Sequence, residues 1–170
     1  MGDSILANLS FKKGFFMFVL LRDYAQGTLD FNIIKKANES YREYLIKNRE
    51  KFPENAYSFA AASWRGDYND PRELHDSWLE SINIIESQDK TTSIIIKLLN
   101  SYHDRYILIE YLDVKKYFLT NDHVSHGDLL RNEIRLSENN NVIHEIEWGM
   151  DSRYVIECGD ILYKNIMINC

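Results

Sequence analysis

From Pro53 onward, short runs rich in Ile, Val, Tyr and Leu arrive about every ten residues, with Gly, Asn and Asp between them. Connections this short leave no room for the crossover that a parallel pair requires, so neighbouring strands are expected to run antiparallel. The pattern predicts strands near Tyr57–Ser63, Trp78–Ser87, Thr92–Asn100, Tyr106–Leu112, Lys116–Thr120, Leu129–Glu138, Val142–Trp148, Arg153–Cys158 and Ile161–Ile168. Tight turns are expected at Ser101 to Asp104, at Asn139-Asn140-Asn141 and at Gly149 to Ser152, where Asn tolerates the positive φ such turns need. In one strand Val142, His144, Ile146 and Trp148 alternate with Ile143, Glu145 and Glu147, which predicts a hairpin with one wet face.

Ahead of Pro53 the spacing is helical. Between Asp30 and Phe52, residues Phe31, Ile34, Tyr41 and Leu45, with Ile33, Ala37 and Tyr44 on the flank, recur at three-and-four intervals. Asp30 can cap the first turn, Glu43 and Lys47 form an i,i+4 pair, and Pro53 ends the helix after Lys47, Arg49 and Lys51 have complemented its dipole. The expected architecture is α+β: an N-terminal helical segment packed on a C-terminal antiparallel β-meander, a sheet or half-barrel. Residues 1–55 would be marginal as a separate fold, so the whole chain, 1–170, is read as a single domain with a helical part (1–55) and a sheet part (56–170).

Charge narrows the function. Residues 1–55 hold nine Lys and Arg against seven Asp and Glu, whereas residues 56–170 hold eleven against nineteen. Phosphate backbones are bound by cations that release condensed counterions, so this acidic chain is not expected to bind nucleic acid. An acidic surface instead steers cationic partners toward it. Only two cysteines occur, Cys158 and Cys170, too few for a disulfide scaffold, which points to a reducing, cytoplasmic setting. The apolar run Phe15 to Leu21 follows Lys12 and Lys13 as in a secretory signal, but Arg22 and Asp23 stand where a cleavage region is small and neutral. It is shorter than the ~20 residues that span a bilayer, so it is read as a buried strand or short helix and no membrane partner is expected.

The histidines give little chemistry. His123 and His126 have a His-x-x-His spacing inside a polar loop, with no third ligand placed by local spacing. His75-Asp76 and His103-Asp104 resemble the metal-binding pair of the helical HD phosphohydrolases, yet both sit beside predicted strands or turns. A metal-dependent hydrolase built on His75, Asp76, His123 and His126 is the alternative from the enzyme class. Cys158 lies in an apolar-alternating strand with no activating neighbour, and no phosphate-binding glycine loop or nucleophile elbow occurs. Glu145 and Glu147 share a strand face and read as solvated. No catalytic residue, metal ligand or cofactor is assigned.

The stretch from Trp64 to Trp78 is the densest in chemistry. It combines acids, bases, large aromatics and chain breakers, so it cannot be a plain core element and reads as a structured loop. Aromatics and Arg carry most of the energy at protein interfaces. The expected partner-binding residues are Trp64, Asp67, Tyr68, Asp70, Glu73 and Asp76, with the acids selecting a basic partner.

His75-Asp76-Ser77-Trp78-Leu79-Glu80-Ser81, then Gly127-Asp128-Leu129-Leu130 and His144-Glu145-Ile146-Glu147-Trp148, resembles small bacterial proteins of the immunity type that belong to polymorphic or contact-dependent toxin systems. The resemblance covers roughly residues 74 to 163. Such families differ widely in fold, so it implies a class of job and assigns no residue a role. The expected function is a non-catalytic binding protein, an immunity-type inhibitor of a basic toxin or another cationic partner. A subunit that self-associates through exposed strands, giving a homo-oligomer, is the third alternative.

Overall fold

The computed structural model describes residues 31–168, so the Phe15 to Leu21 run, the Asp30 cap and Cys170 lie outside the described residues. Helix α1 spans Phe31–Lys47 and turns Tyr41 and Leu45 into the core, while Ile33 stays exposed. Among the described residues its i,i+4 ion pair is Lys35 with Glu39 at 3.9 Å, in place of the expected Glu43 and Lys47. A 3-10 turn, Arg49–Lys51, brings the chain to Pro53.

The strand expected at Tyr57–Ser63 is instead a second helix, α2, Glu54–Ala60. Pro53 cannot continue the preceding helix, but its carbonyl accepts from Tyr57 N–H at 2.9 Å and starts a new one. Ala56, Phe59 and Ala60 then fall three and four apart on a single buried face.

Eight strands follow: β1 (Trp78–Glu86), β2 (Thr92–Leu99), β3 (Arg105–Leu112), β4 (Lys116–Thr120), β5 (Leu129–Leu136), β6 (Val142–Trp148), β7 (Arg153–Cys158) and β8 (Asp160–Met167). All pairings are antiparallel, and the strands form two four-stranded sheets, ordered β1-β2-β3-β8 and β4-β7-β6-β5. The α+β expectation holds. The chain changes sheet between β7 and β8 at Gly159, whose N–H donates to Leu112 O at 2.9 Å. The three expected turns each place one residue in the left-handed region: His103 (φ 57°), Asn140 (φ 59°) and Asp151 (φ 55°).

The inner faces meet in one core. Ile94, Ile96 and Leu98 of β2 and Ile107, Ile109 and Tyr111 of β3 face Ile134, Val142, Ile146, Tyr154 and Ile156 of the other sheet. Phe59 from α2 and Tyr41 and Leu45 from α1 complete that core. Helix α2 packs against both β8 and β5. The hydroxyl of Tyr41 donates to Ile134 O at 2.7 Å and accepts from Ile134 N–H at 3.1 Å, and Tyr44 accepts from Leu136 N–H at 2.8 Å. Among the described residues no strand lies beyond β5, and these hydroxyls satisfy backbone groups that a neighbouring strand would otherwise engage.

The expected wet face of β6 is a correction. Ile143 and Glu145 are as buried as Val142, His144, Ile146 and Trp148, and only Glu147 is part-exposed. Register explains how charge is tolerated there: Arg131 opposes Glu147 and Glu133 opposes Glu145, with Arg135 two residues further along β5. Arg131 donates to Glu147 at 2.5 Å, Arg135 donates to Glu145 at 2.5 Å and lies 3.8 Å from Glu133, and Arg153 also reaches Glu145. Three arginines thus neutralise three glutamates in place.

Candidate functional site

The connection between α2 and β1, residues 61–77, contains all six expected partner-binding residues. Its shape comes from the buried carboxylate of Glu73. Glu73 accepts from Gly66 N–H at 2.5 Å, from Leu74 N–H at 2.8 Å and from Arg65 at 3.4 Å. Gly66 sits at φ 81°, a left-handed conformation that lets its N–H turn toward Glu73. At the far end Asp76 N–H donates to Leu129 O at 2.9 Å and Leu129 N–H donates to Ser77 O at 3.0 Å, which fastens the loop to β5.

The six expected partner-binding residues divide by position. Trp64 is half-buried, packed at a tilt against Phe59 and Tyr163 at ring separations of 6.0 and 5.0 Å, and so anchors the loop to the core. Glu73 works inside the loop and does not face outward. Asp70 is held by Arg72 through two contacts of 2.8 and 2.6 Å, which lowers its pKa to about 2. Asp67 accepts from Asn69 N–H at 3.0 Å and is exposed, and Asp76 lies 3.1 Å from His75 Nδ1. The acids of this loop are largely engaged where they stand.

Tyr68 is 59% exposed and its ring lies 4.5 Å from His75. Two aromatics outside the six expected residues are also exposed: Trp78, at the end of the Trp64 to Trp78 stretch, and Tyr102. Trp78, 49% exposed, donates through Nε1 to Asp128 at 2.6 Å and packs against His103 at 4.7 Å. Tyr102, 54% exposed, donates to Asn69 O at 3.1 Å. The turn after β2 is joined to the loop a second time, because Asn100 Nδ2 donates to Pro71 O at 3.2 Å. Tyr68, Trp78 and Tyr102 are therefore exposed rings on a fixed surface.

Behind Tyr68 opens a cleft of about 460 Å³ between α1, the loop and the start of β5. Arg42, Arg65 and Arg131 line it together with Tyr68, Glu73 and His75. A buried relay supports its wall. Tyr111 OH lies 2.8 Å from His144 Nδ1, His144 Nε2 lies 3.2 Å from Asn132 Oδ1, and the same oxygen accepts from Arg65 at 2.6 Å. The chain of contacts fixes one tautomer, since an Asn oxygen only accepts: His144 donates from Nε2 and accepts from the Tyr111 hydroxyl at Nδ1.

Burial, with Arg65 and Arg135 nearby, holds the pKa of His144 well below the ordinary 6.5, and burial also lowers that of His126 against Trp148 and Tyr154. The unfolded chain takes up a proton at position 144 as pH falls through the ordinary value near 6.5, and the buried His144 ring does not. Stability is therefore expected to be level above that pH and to fall below it, by up to about 1.4 kcal/mol per pH unit for His144. Urea midpoints measured from about pH 8 to about pH 5, above the range where carboxylates protonate, check this; a flat profile contradicts it.

The residues of the hydrolase alternative do not converge. His75 and Asp76 lie in the loop, His123 is exposed with its N–H on Asn121 at 3.1 Å, and His126 contacts Tyr154 and Trp148. Among the described residues no three His, Cys, Asp or Glu side chains gather as ion ligands, and no helix is long and apolar enough to cross a membrane. Burial pushes the Cys158 thiol up to about 12, so it has no thiolate character near neutral pH. Comparison with protein-family models, curated proteins and solved structures finds no match to this chain.

Proposed function

We propose that this chain is a non-catalytic binding protein that docks a protein partner on the surface formed by Tyr68, Trp78 and Tyr102. The observation that carries the reading is that each of these half-exposed rings is fixed by a contact of its own. A ring already held in place loses little freedom on binding and can desolvate a large area. Asp67 and Asp76 border this surface and favour basic groups on the partner. The immunity-type role, inhibition of a basic toxin, is supported by the resemblance of residues 74 to 163 and by the acid excess of residues 56–170.

The test is co-expression with the polypeptide encoded next to this chain, read as growth, and binding of the two purified proteins at several salt concentrations. Rescue of growth is expected, together with a complex that Trp78→Ala weakens by about 2 kcal/mol, roughly thirtyfold. Far-UV circular dichroism should show both forms folded alike. A wild-type chain that neither binds nor rescues would sink the proposal. Self-association is the second reading, favoured by exposed Ile84 and Ile85 on the outer strand β1. A dimer that appears with concentration in sedimentation, and that Trp78→Ala leaves intact, would favour it instead.

A further inference from the structure

Among the described residues, the strands that border the two sheets differ in what lies along their free side. The hydroxyls of Tyr41 and Tyr44 meet β5, Lys164 stands exposed on β8 and α2 packs against that strand, and β4 is five residues long and begins with Lys116. Strand β1 has nine residues and contains neither Lys nor Pro, which commonly keep a border strand apart from other chains. A bulge between Leu79 and Ser81 interrupts its pairing with β2, and from Ser81 to Glu86 the register is regular.

That register also fixes which backbone groups point away from β2. Ser87 N–H donates to Thr91 O at 2.9 Å, and bonded pairs alternate with unbonded ones along an antiparallel ladder. Ile85 with Ser93 and Asn83 with Ile95 are then bonded pairs. Ile82, Ile84 and Glu86 turn their N–H and C=O groups to the free side, where no described residue meets them. Ile84 pairs with the buried Ile94 on the core-facing side and is still 41% exposed, while Ile85, on the opposite face, is 45% exposed. Apolar side chains are thus open on both faces beside unbonded backbone.

The same strand run in reverse matches this border. A two-fold axis at Ile84 sets Ile84 against its own copy and Ile82 against Glu86, so every outward residue exchanges hydrogen bonds. The two Glu86 carboxylates then lie four residues apart along the strand, about 14 Å, which exceeds the screening length at physiological salt. Other axes fit less well. One at Asn83 opposes Glu86 to Glu80 and one at Glu86 opposes that residue to itself, and like charges directly opposite are destabilising. An axis at Ile82 runs into the bulge, and an axis at Ile85 carries Ile82 past the end of the partner strand, to Gln88.

We propose that two copies of this chain join through β1 about an axis at Ile84, making one continuous sheet of the two β1-β2-β3-β8 sheets. The inference rests on the self-association reading and gives it a geometry. It uses residues 82–86 and leaves Trp78, ahead of the bulge, to the docking surface.

Sedimentation velocity of the full chain from about 1 to about 300 μM tests it, together with disulfide trapping under mild oxidation. A dimer with a dissociation constant below about 100 μM is expected, weak because a single strand pair buries less than a standard interface. Ile84→Lys, which brings like charges together on the axis, should weaken it about tenfold or more, with an unchanged far-UV circular dichroism spectrum. Ile84→Cys should be trapped as a disulfide dimer, since the Cα atoms of a bonded pair lie about 5.5 Å apart. Glu86→Cys and the wild-type chain, with its own Cys158 and Cys170, should show only background trapping. Trapping reads the register even where Ile84→Lys does not fold. Absence of a dimer at the highest concentration would overturn this inference and the self-association reading together. A dimer that a folded Ile84→Lys leaves intact, that Ile84→Cys does not trap, or that Glu86→Cys traps as readily, would overturn this inference alone.

Discussion

Replacing Glu145 by leucine is expected to destabilise the fold by about 3–5 kcal/mol, because it leaves buried arginine charge without its counter-ion. Glu145 has no exposure to solvent, and it receives Arg135 at 2.5 Å and Arg153 from the other side. Arg135 is itself buried, and burial already lowers its pKa. Glu145→Gln should be milder, since an amide oxygen still accepts from one guanidinium while the charge is lost. Urea unfolding of the three proteins near pH 7 measures the difference. A loss below about 1 kcal/mol for the leucine variant would mean that water reaches this face and that the pairing is of the weak surface kind.

The second large effect is expected at Tyr41. Tyr41→Phe removes a hydroxyl that both donates to and accepts from Ile134 of β5, leaving two backbone groups unpartnered, and should cost about 2–3 kcal/mol. Tyr41→Ala also removes a buried ring, so about 4 kcal/mol is expected, with rising light scattering on warming as the border of β5 becomes available to other chains. If Tyr41→Phe unfolds at the wild-type urea concentration, the hydroxyl is not what closes that border.

These two residues show how much of the fold was legible in the sequence. The strands from β1 to β8 were readable because β-branched and aromatic residues stop at Asn, Asp and Gly, and three strands begin and end where expected. Helix α2 was not, because seven residues give too little length for a helical period to stand out. Its available signal was Pro53 followed by Ala56, Phe59 and Ala60. The burial of Glu145 was also hidden. Alternation along β6 marks one dry face, but only the register with β5 and β7 brings Arg135 and Arg153 to the other.

The loop that carries the candidate site was legible in place and not in detail. Mixed charge and aromatics singled out residues 64–78, yet which tryptophan turns inward depends on the sheet. Trp78 pairs with Leu99 on the face opposite to the buried side of β2, whereas Trp64 precedes the sheet and packs against Tyr163 of β8. The arginines of the cleft come from a helix, a loop and a strand far apart in the sequence, so no local spacing could have joined them.

The contacts that run from Tyr111 through His144, Asn132 and Arg65 to Glu73 mean that the interior and the exposed loop before β1 share one scaffold. Anyone probing the proposed docking surface should leave those five alone and vary Tyr68 or Trp78 instead, where the exposed chemistry can change while the supporting frame stays as it is.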